Sequence, residues 1–473
     1  MGAELVSTFA PVPTSPHRPE RTGRGEGESQ NRFMRLTSCE PGTTDLSGSQ
    51  LDEQGRDVPT STTSQTHVRL GNEHGYAGSR RPFSISVHDL LRHAYVIGQT
   101  GVGKSTALYN IALQLIVKGE GVAFLDPHGQ EATSLLDAIP RDRTRDVVYF
   151  NPQNKAHPIG INLLETDGDQ HLAADSVVEA LRGLHANSWG PRMEWILYNC
   201  LRTIAAAGGT VLDVPRLLAD EAFRARLIDQ VDDRAVRSFW REEFGQYNKG
   251  FRVEAISPIQ NKVGRLRADP VLRGILGQRD STIDPGFMMD ERRILVADLS
   301  GIGTDAADIL GSFLSAWFQL KALDRDESGH GRPPFTLIMD ECHRFTTDGL
   351  AAILAESRKY GLGMVLANQY TAQLTDEIQD AIFGNVGTTI AYRLGGADAE
   401  VLSEHFGGRY RPKQFTDLDQ YRAYVKAIQD GKPKLPTKAT MSPPIEHEVG
   451  RKETIVRESR RRFSRKREVV ENG

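Results

Sequence analysis

The chain has 473 residues, with 58 Lys and Arg against 62 Asp and Glu, a net charge of −4. That near balance excludes a surface coated in positive charge for indiscriminate nucleic-acid capture, so any nucleic-acid contact must be local. Cys39, Cys200 and Cys342 are scattered and odd in number, which excludes a disulfide or zinc framework.

No run approaches eighteen consecutive apolar residues, and the first thirty residues lack a charged start followed by an apolar core. The expectation is a cytoplasmic protein that reaches a membrane only through a partner. Residues 1–80 are rich in Ser, Thr, Gly, Pro and charge without hydrophobic periodicity, and read as a disordered N-terminal arm.

From His88 the texture changes. Tyr95-Val-Ile-Gly98 reads as a strand, and an amphipathic helix follows from Ser105 to Lys118. Between them lies Gly98-Gln99-Thr100-Gly101-Val102-Gly103-Lys104-Ser105-Thr106, which fits G-x-x-x-x-G-K-[ST]. Glycines let such a loop curl so that successive N–H groups face phosphate oxygens, and the helix adds its positive end. Lys104 would reach the β- and γ-phosphates, and the Ser105 hydroxyl would ligate Mg²⁺.

Val122-Ala-Phe-Leu-Asp126 and Val147-Val-Tyr-Phe150 continue the strands. Asp126-Pro-His-Gly129 has two readings: an acid near the nucleotide edge, or a Pro-containing turn. Residues 81–164 and 289–435 together read as one α/β core with a mostly parallel sheet and helices on both faces. The interruption, 165–288, reads as an inserted all-α domain. There Trp195, Ile196, Cys200 and Ile204 recur at helical spacing, and Asp213 before Pro215 marks a helix start running through Leu227.

The strand pattern resumes at Ile294–Leu299, Thr336–Asp340, Met364–Ala367 and Thr389–Tyr392. Phe335-Thr-Leu-Ile-Met-Asp340-Glu341 ends an apolar strand in two acids. Asp340 would hold the Mg²⁺ shell, and Glu341 would orient and polarise the attacking water. ATP hydrolysis is therefore the expected chemistry. A GTPase switch is disfavoured, because Asn261-Lys-Val-Gly264 lacks the Asp of a guanine reader.

Gln369 ends the next strand, where it would sense a γ-phosphate. Arg358, on the helix after the acid pair, and Arg393, at a strand end, are candidates for an arginine acting across a subunit boundary; the alternative for each is a surface ion pair. His343 reads as packing. The tail, 436–473, is basic, with Arg460-Arg-Arg462 and Arg465-Lys-Arg467.

Taken together, Arg92 to Thr106, Phe124-Leu-Asp-Pro-His-Gly129, Ile338-Met-Asp-Glu-Cys-His-Arg-Phe345, Ser357-Arg-Lys-Tyr-Gly361 and the run from Asn385 to Glu400 resemble the HerA/FtsK superfamily. Within it they are most similar to TraD/TraG-type coupling proteins of type IV secretion, over residues 85–430. The resemblance implies a RecA-like P-loop ATPase that assembles as a hexamer and moves DNA through a central channel, with relaxase and a membrane-anchoring secretion subunit as partners. It assigns Lys104, Ser105, Asp340 and Glu341 to ATP and Mg²⁺, Arg358 to the arginine acting in trans, and Gln369 to γ-phosphate sensing.

Such proteins typically carry an N-terminal membrane anchor, which this sequence does not show. Two other readings stay open: a HerA-like helicase working with a nuclease in repair or phage defence, and a nucleotide-gated docking platform. Candidate DNA contacts are Lys262, Arg265 and Arg267, or the basic tail; a sequence-indifferent motor would touch phosphates alone.

Overall fold

In the computed structural model the described residues are 67–74, 79–166, 168–185, 188–325, 332–347, 349–447 and 449–472, all within the unit Thr63–Gly473. Twelve strands are described: β1 (His67–His74), β2 (Arg80–Ser86), β3 (Ala94–Ile97), β4 (Gly121–Asp126), β5 (Val147–Phe150), β6 (Ile294–Asp298), β7 (Phe335–Met339), β8 (Leu362–Asn368), β9 (Thr388–Ala391), β10 (Arg422–Gln429), β11 (Lys432–Pro433) and β12 (Thr437–Met441). They form one sheet in the order β2-β1-β12-β10-β9-β3-β8-β7-β4-β6-β5, with β11 on β10.

From β9 to β5 every neighbour pair is parallel. These strands are short apolar runs buried along their length, as a sheet covered on both faces requires. From β9 to β2 the pairing is antiparallel.

The parallel order decides where chemistry can happen. β8 lies between the P-loop strand β3 and the acid strand β7, and β9 flanks β3 on its other side. The carboxyl ends of β7, β8, β3 and β9 therefore set Asp340-Glu341, Gln369, the loop 98–106 and Arg393 in a row along one edge. That edge is where parallel α/β sheets bind ligands.

The domain boundaries expected from sequence shift at both ends. Residues 67–74 of the supposed arm are β1, which pairs with β2 and β12, so order begins ahead of residue 81; residues 1–66 lie outside the described residues. At the other end β12 belongs to the sheet, although it falls inside the tail drawn at 436. Residues 165–288 contain helices and no strand among the described residues. Their buried side chains, Ile196, Cys200 and Ile204 among them, share one hydrophobic cluster with Leu125, Leu337 and Leu366 of the sheet. The helix start before Pro215 is at Thr210, whose capping box with Asp213 opens it, and a second cap at Asp220 splits the run in two.

The basic tail is docked. Its helix Lys452–Phe463 buries Ile455, and Ser459 Oγ accepts the Tyr149 N–H of edge strand β5 over 2.7 Å. A sheet edge left with free N–H groups invites pairing by another chain, and this helix covers it.

Candidate nucleotide site

The loop that follows β3 is built by glycines and by close neighbours. Gly103 has φ +110°, and its Cα is overlaid by the Tyr421 ring, so a side chain there would meet both strain and the ring. Gly98 is pressed against Tyr392 and the Arg393 carbonyl. Tyr392 Oη donates to the Gly103 carbonyl (3.1 Å), and the Gln420 amide donates to the Gly101 carbonyl (2.9 Å). The loop then enters the helix Lys104–Val117.

Lys104 is 6% exposed and its Nζ donates to the carbonyls of Gly98 (2.7 Å) and Gln99 (3.2 Å). Burial holds its ammonium below the usual lysine range, with Glu341 and Asp340 acting in the opposite sense. Ser105 Oγ donates to Asp340 Oδ2 (3.0 Å). Burial pushes the Asp340 carboxyl up; the Ser105 hydrogen bond opposes this, while Glu341 and Asp126 add to it. A buried carboxylate with a hydroxyl at its side and two acids nearby has the oxygen donors that suit a divalent cation. The residues fit Mg²⁺ and a triphosphate.

Glu341 adopts left-handed backbone, φ +47°, in a non-glycine residue. Such a conformation costs on the order of 1–3 kcal/mol and clusters at functional sites. It turns the chain sharply after β7, so that Asp340 and Glu341 both serve the same edge. Gln369 Nε2 donates to Glu341 Oε1 (3.0 Å), while Gln369 Oε1 accepts from Thr100 Oγ1 (3.1 Å). One amide thus links the P-loop to the acid strand.

The other sequence candidates divide. Arg393 Nε donates to Gln99 Oε1 (3.2 Å) and its carbonyl accepts the Gln99 N–H, which puts it in its own loop rather than across a boundary. Arg358 is exposed and lies on a 3₁₀ turn, Ser357–Tyr360, not on the preceding helix Gly349–Glu356. That turn feeds the amino end of β8. With seven residues of strand at ~3.3 Å each, Arg358 is about 20 Å from the carboxyl edge.

Asp126 accepts the N–H groups of His128 (2.8 Å) and Ala132 (2.9 Å), so it organises the turn into the helix Gln130–Ala138, and His128 is exposed. Lys262, Arg265 and Arg267 lie on the helix Lys249–Ala268. Arg267 and Arg465 of the tail line one cavity of about 690 Å³, together with Arg216, Arg273 and Arg279.

Two further residues stand beside Glu341: His343, read from the sequence as packing, and Gln373, not named there. His343 lies with Nδ1 3.6 Å from Glu341 Oε2, and Gln373 meets its other ring nitrogen. The motif Asp-Glu-Cys-His carried the first; nothing in the sequence flagged Gln373.

A profile for the central domain of helicase HerA matches residues 69–317, more than half of the 473 residues. The chain belongs to the HerA family. A second profile, for the TraM recognition site of TraD and TraG, matches residues 334–420. A search of curated protein sequences finds no match.

Among solved structures, the conjugative coupling protein TrwB in complex with ADP and Mg²⁺ is similar at 16% identity and a TM-score of 0.59, covering 80% of this chain and 96% of that one. The unbound form of a TrwB lacking its first 70 residues gives 17% and 0.56, covering 80% and 90%. VirB4 of Thermoanaerobacter pseudethanolicus gives 14% and 0.52, covering 79% and 96%. These likenesses establish a RecA-like P-loop ATPase fold for this HerA-family chain. Among the described residues no helix is long and apolar enough to cross a membrane.

Proposed function

We propose that this chain is a Mg²⁺-dependent ATPase that works as a hexameric ring and moves DNA, in the manner of the coupling ATPase of conjugative type IV secretion. The observation that carries the reading is the convergence of Lys104-Ser105 with Asp340-Glu341, joined by the Ser105–Asp340 hydrogen bond, on the carboxyl edge of one sheet.

In this reading Lys104 leaves its two carbonyls to meet the β- and γ-phosphates. Ser105 and Asp340 hold the cation, which when bound neutralises charge developing on the phosphoryl oxygens. Glu341 accepts a proton from water and aims it, and Gln369 carries the state of the loop to Glu341. Arg358, too far from its own site, is free to serve a neighbour's.

The coupling role is supported by the segment 334–420, which matches the TraM recognition site of TraD and TraG and contains Asp340, Glu341, Arg358 and Gln369. It also makes a relaxase-associated partner and a membrane-anchoring subunit the natural contacts. The HerA match favours a second reading, a helicase-like motor paired with a nuclease.

Purified protein tests the motor. ATP turnover should require Mg²⁺, rise with protein concentration and with DNA of any sequence, and vanish in Lys104→Ala and Glu341→Gln. Sedimentation should show a hexamer with nucleotide and DNA. Wild-type turnover in Glu341→Gln, or no adenine-nucleotide binding by calorimetry, would overturn it.

A further inference from the structure

The left-handed turn at Glu341 leads into the 3₁₀ turn Cys342–Arg344, which brings the His343 ring back over the Glu341 carboxylate. Arg344 fixes this turn by pairing with Asp308 (2.6 Å). His343 and Glu341 side chains are 22% and 9% exposed, and their facing atoms, His343 Nδ1 and Glu341 Oε2, are both buried and have no hydrogen-bond partner. Two buried polar atoms that face one another without a hydrogen bond are unfavourable, so the juxtaposition calls for a reason.

Gln373 supplies it. Its Oε1 accepts the backbone N–H groups of Gln369 (2.9 Å) and Tyr370 (3.1 Å), which fixes the orientation of its amide. Its Nε2 must therefore donate to His343 Nε2, 3.3 Å away. A ring nitrogen that accepts carries no proton, so the neutral imidazole holds its proton on Nδ1, facing Glu341.

We propose that His343 is a positioning residue for the catalytic carboxylate: Gln373 locks its tautomer so that Nδ1–H faces Glu341 Oε2 across 3.6 Å and restrains that oxygen electrostatically, while Gln369 donates a hydrogen bond to Oε1. Both restraints start from one turn, residues 369–373, and that turn touches the P-loop through Thr100. A change at the loop thus reaches both oxygens of Glu341 at once and re-aims the lone pairs that polarise water. The inference rests on the ATPase reading for its catalytic consequence, but the tautomer lock is a property of the protein alone.

The test has two arms. In the first, turnover and nucleotide affinity are measured for His343→Leu, His343→Asn and Gln373→Leu in full-length protein. His343→Leu should lower kcat roughly 10- to 100-fold, as misaimed catalytic groups do, with ATP affinity changed less than about twofold. His343→Asn, whose amide N–H can take the place of Nδ1–H, should recover most of the loss. Wild-type kcat in His343→Leu, or equal loss in the Asn and Leu variants, would overturn the role.

In the second arm, the ring ¹⁵N shifts of His343, assigned by comparison with His343→Asn, should report the Nδ1–H tautomer in wild type and its loss or mixing in Gln373→Leu. An Nε2–H tautomer in wild type overturns the proposal whether or not the protein turns over ATP. A dead wild type with the Nδ1–H tautomer instead counts against the ATPase reading alone.

Discussion

Ser105 Oγ donates to Asp340 Oδ2 over 3.0 Å, although 235 residues separate the two in the chain. The hydroxyl begins the helix after the glycine loop, and the carboxylate ends the acid strand two places away in the sheet. In this arrangement each holds the other where a divalent cation would take both as ligands. Ser105→Ala should therefore raise the Mg²⁺ concentration for half-maximal ATPase by roughly 10- to 100-fold, the usual cost of losing an outer-sphere or weak inner-sphere partner. A Mg²⁺ titration of initial rates reads this directly. An unchanged titration curve would separate Ser105 from the metal.

Gln369 makes a distinct demand. Its amide bridges Thr100 Oγ1 and Glu341 Oε1, so it can register what occupies the loop and pass that to the carboxylate. Gln369→Ala should reduce kcat roughly 10- to 100-fold while nucleotide affinity stays within a few-fold. Rapid-quench and equilibrium-binding measurements distinguish the two. Lost affinity with preserved kcat would make Gln369 a binding residue instead.

How much of this was legible beforehand follows the range over which each signal acts. The glycine loop and the acid pair are contiguous strings whose function dictates residue types at fixed offsets, so the site could be read before any fold was known. The parallel strands were equally plain: β4, β7 and β8 are predominantly apolar and buried throughout because both faces are covered. β1 and β12 were missed because they are mixed polar strands at the antiparallel end, His67-Val-Arg-Leu and Thr437-Lys-Ala-Thr, and their pairing with each other joins segments hundreds of residues apart. His343 was read as packing because its approach to Glu341 depends on a left-handed backbone at a glutamate, which no periodicity encodes.

Arg358 belongs to the opposite edge of the sheet, at the start of β8, and it is exposed. A guanidinium there cannot reach its own P-loop. Whether it serves a neighbour in the proposed ring is read by mixing experiments. Arg358→Ala and Lys104→Ala proteins, each inactive alone, should regain measurable turnover when combined, because some interfaces then join an intact loop to an intact arginine. No recovery across the full range of ratios would leave Arg358 as a surface charge.

The tail helix makes a prediction about stability rather than catalysis. Ile455 is fully buried against the β5 side of the sheet, and Ser459 caps the Tyr149 N–H. Ile455→Ala should cost about 2–5 kcal/mol, the range for such truncations in cores, and Ser459→Ala about 1–3 kcal/mol for an N–H left unmatched. Thermal melts read both. Self-association that appears in Ser459→Ala and is reversed by dilution would mark β5 as the newly exposed edge.

His93 contributes to a loss of stability in acid. It has left-handed backbone, φ +63°, and is 2% exposed. Its Nδ1 accepts the Met364 N–H of β8 over 3.1 Å, so protonation would both break a sheet-anchoring bond and bury a charge. Burial brings its pKa down from 6.5 to about 4. Above pH 6.5 the residue is neutral in folded and unfolded chains alike, and its contribution to stability is complete. Between pH 6.5 and 4 the unfolded chain binds the proton and the folded one does not, so stability falls as pH falls. Below about 4 the loss is complete, on the order of 3 kcal/mol. His405, likewise brought to about 4 by burial beside Lys426, acts in the same direction. His93→Asn tolerates the left-handed backbone and keeps an acceptor for Met364, so denaturant midpoints for this variant should decline less steeply between pH 6.5 and 4 than wild type. Equal slopes would mean that His93 titrates normally in the folded protein and that its Met364 contact contributes nothing to the acid response.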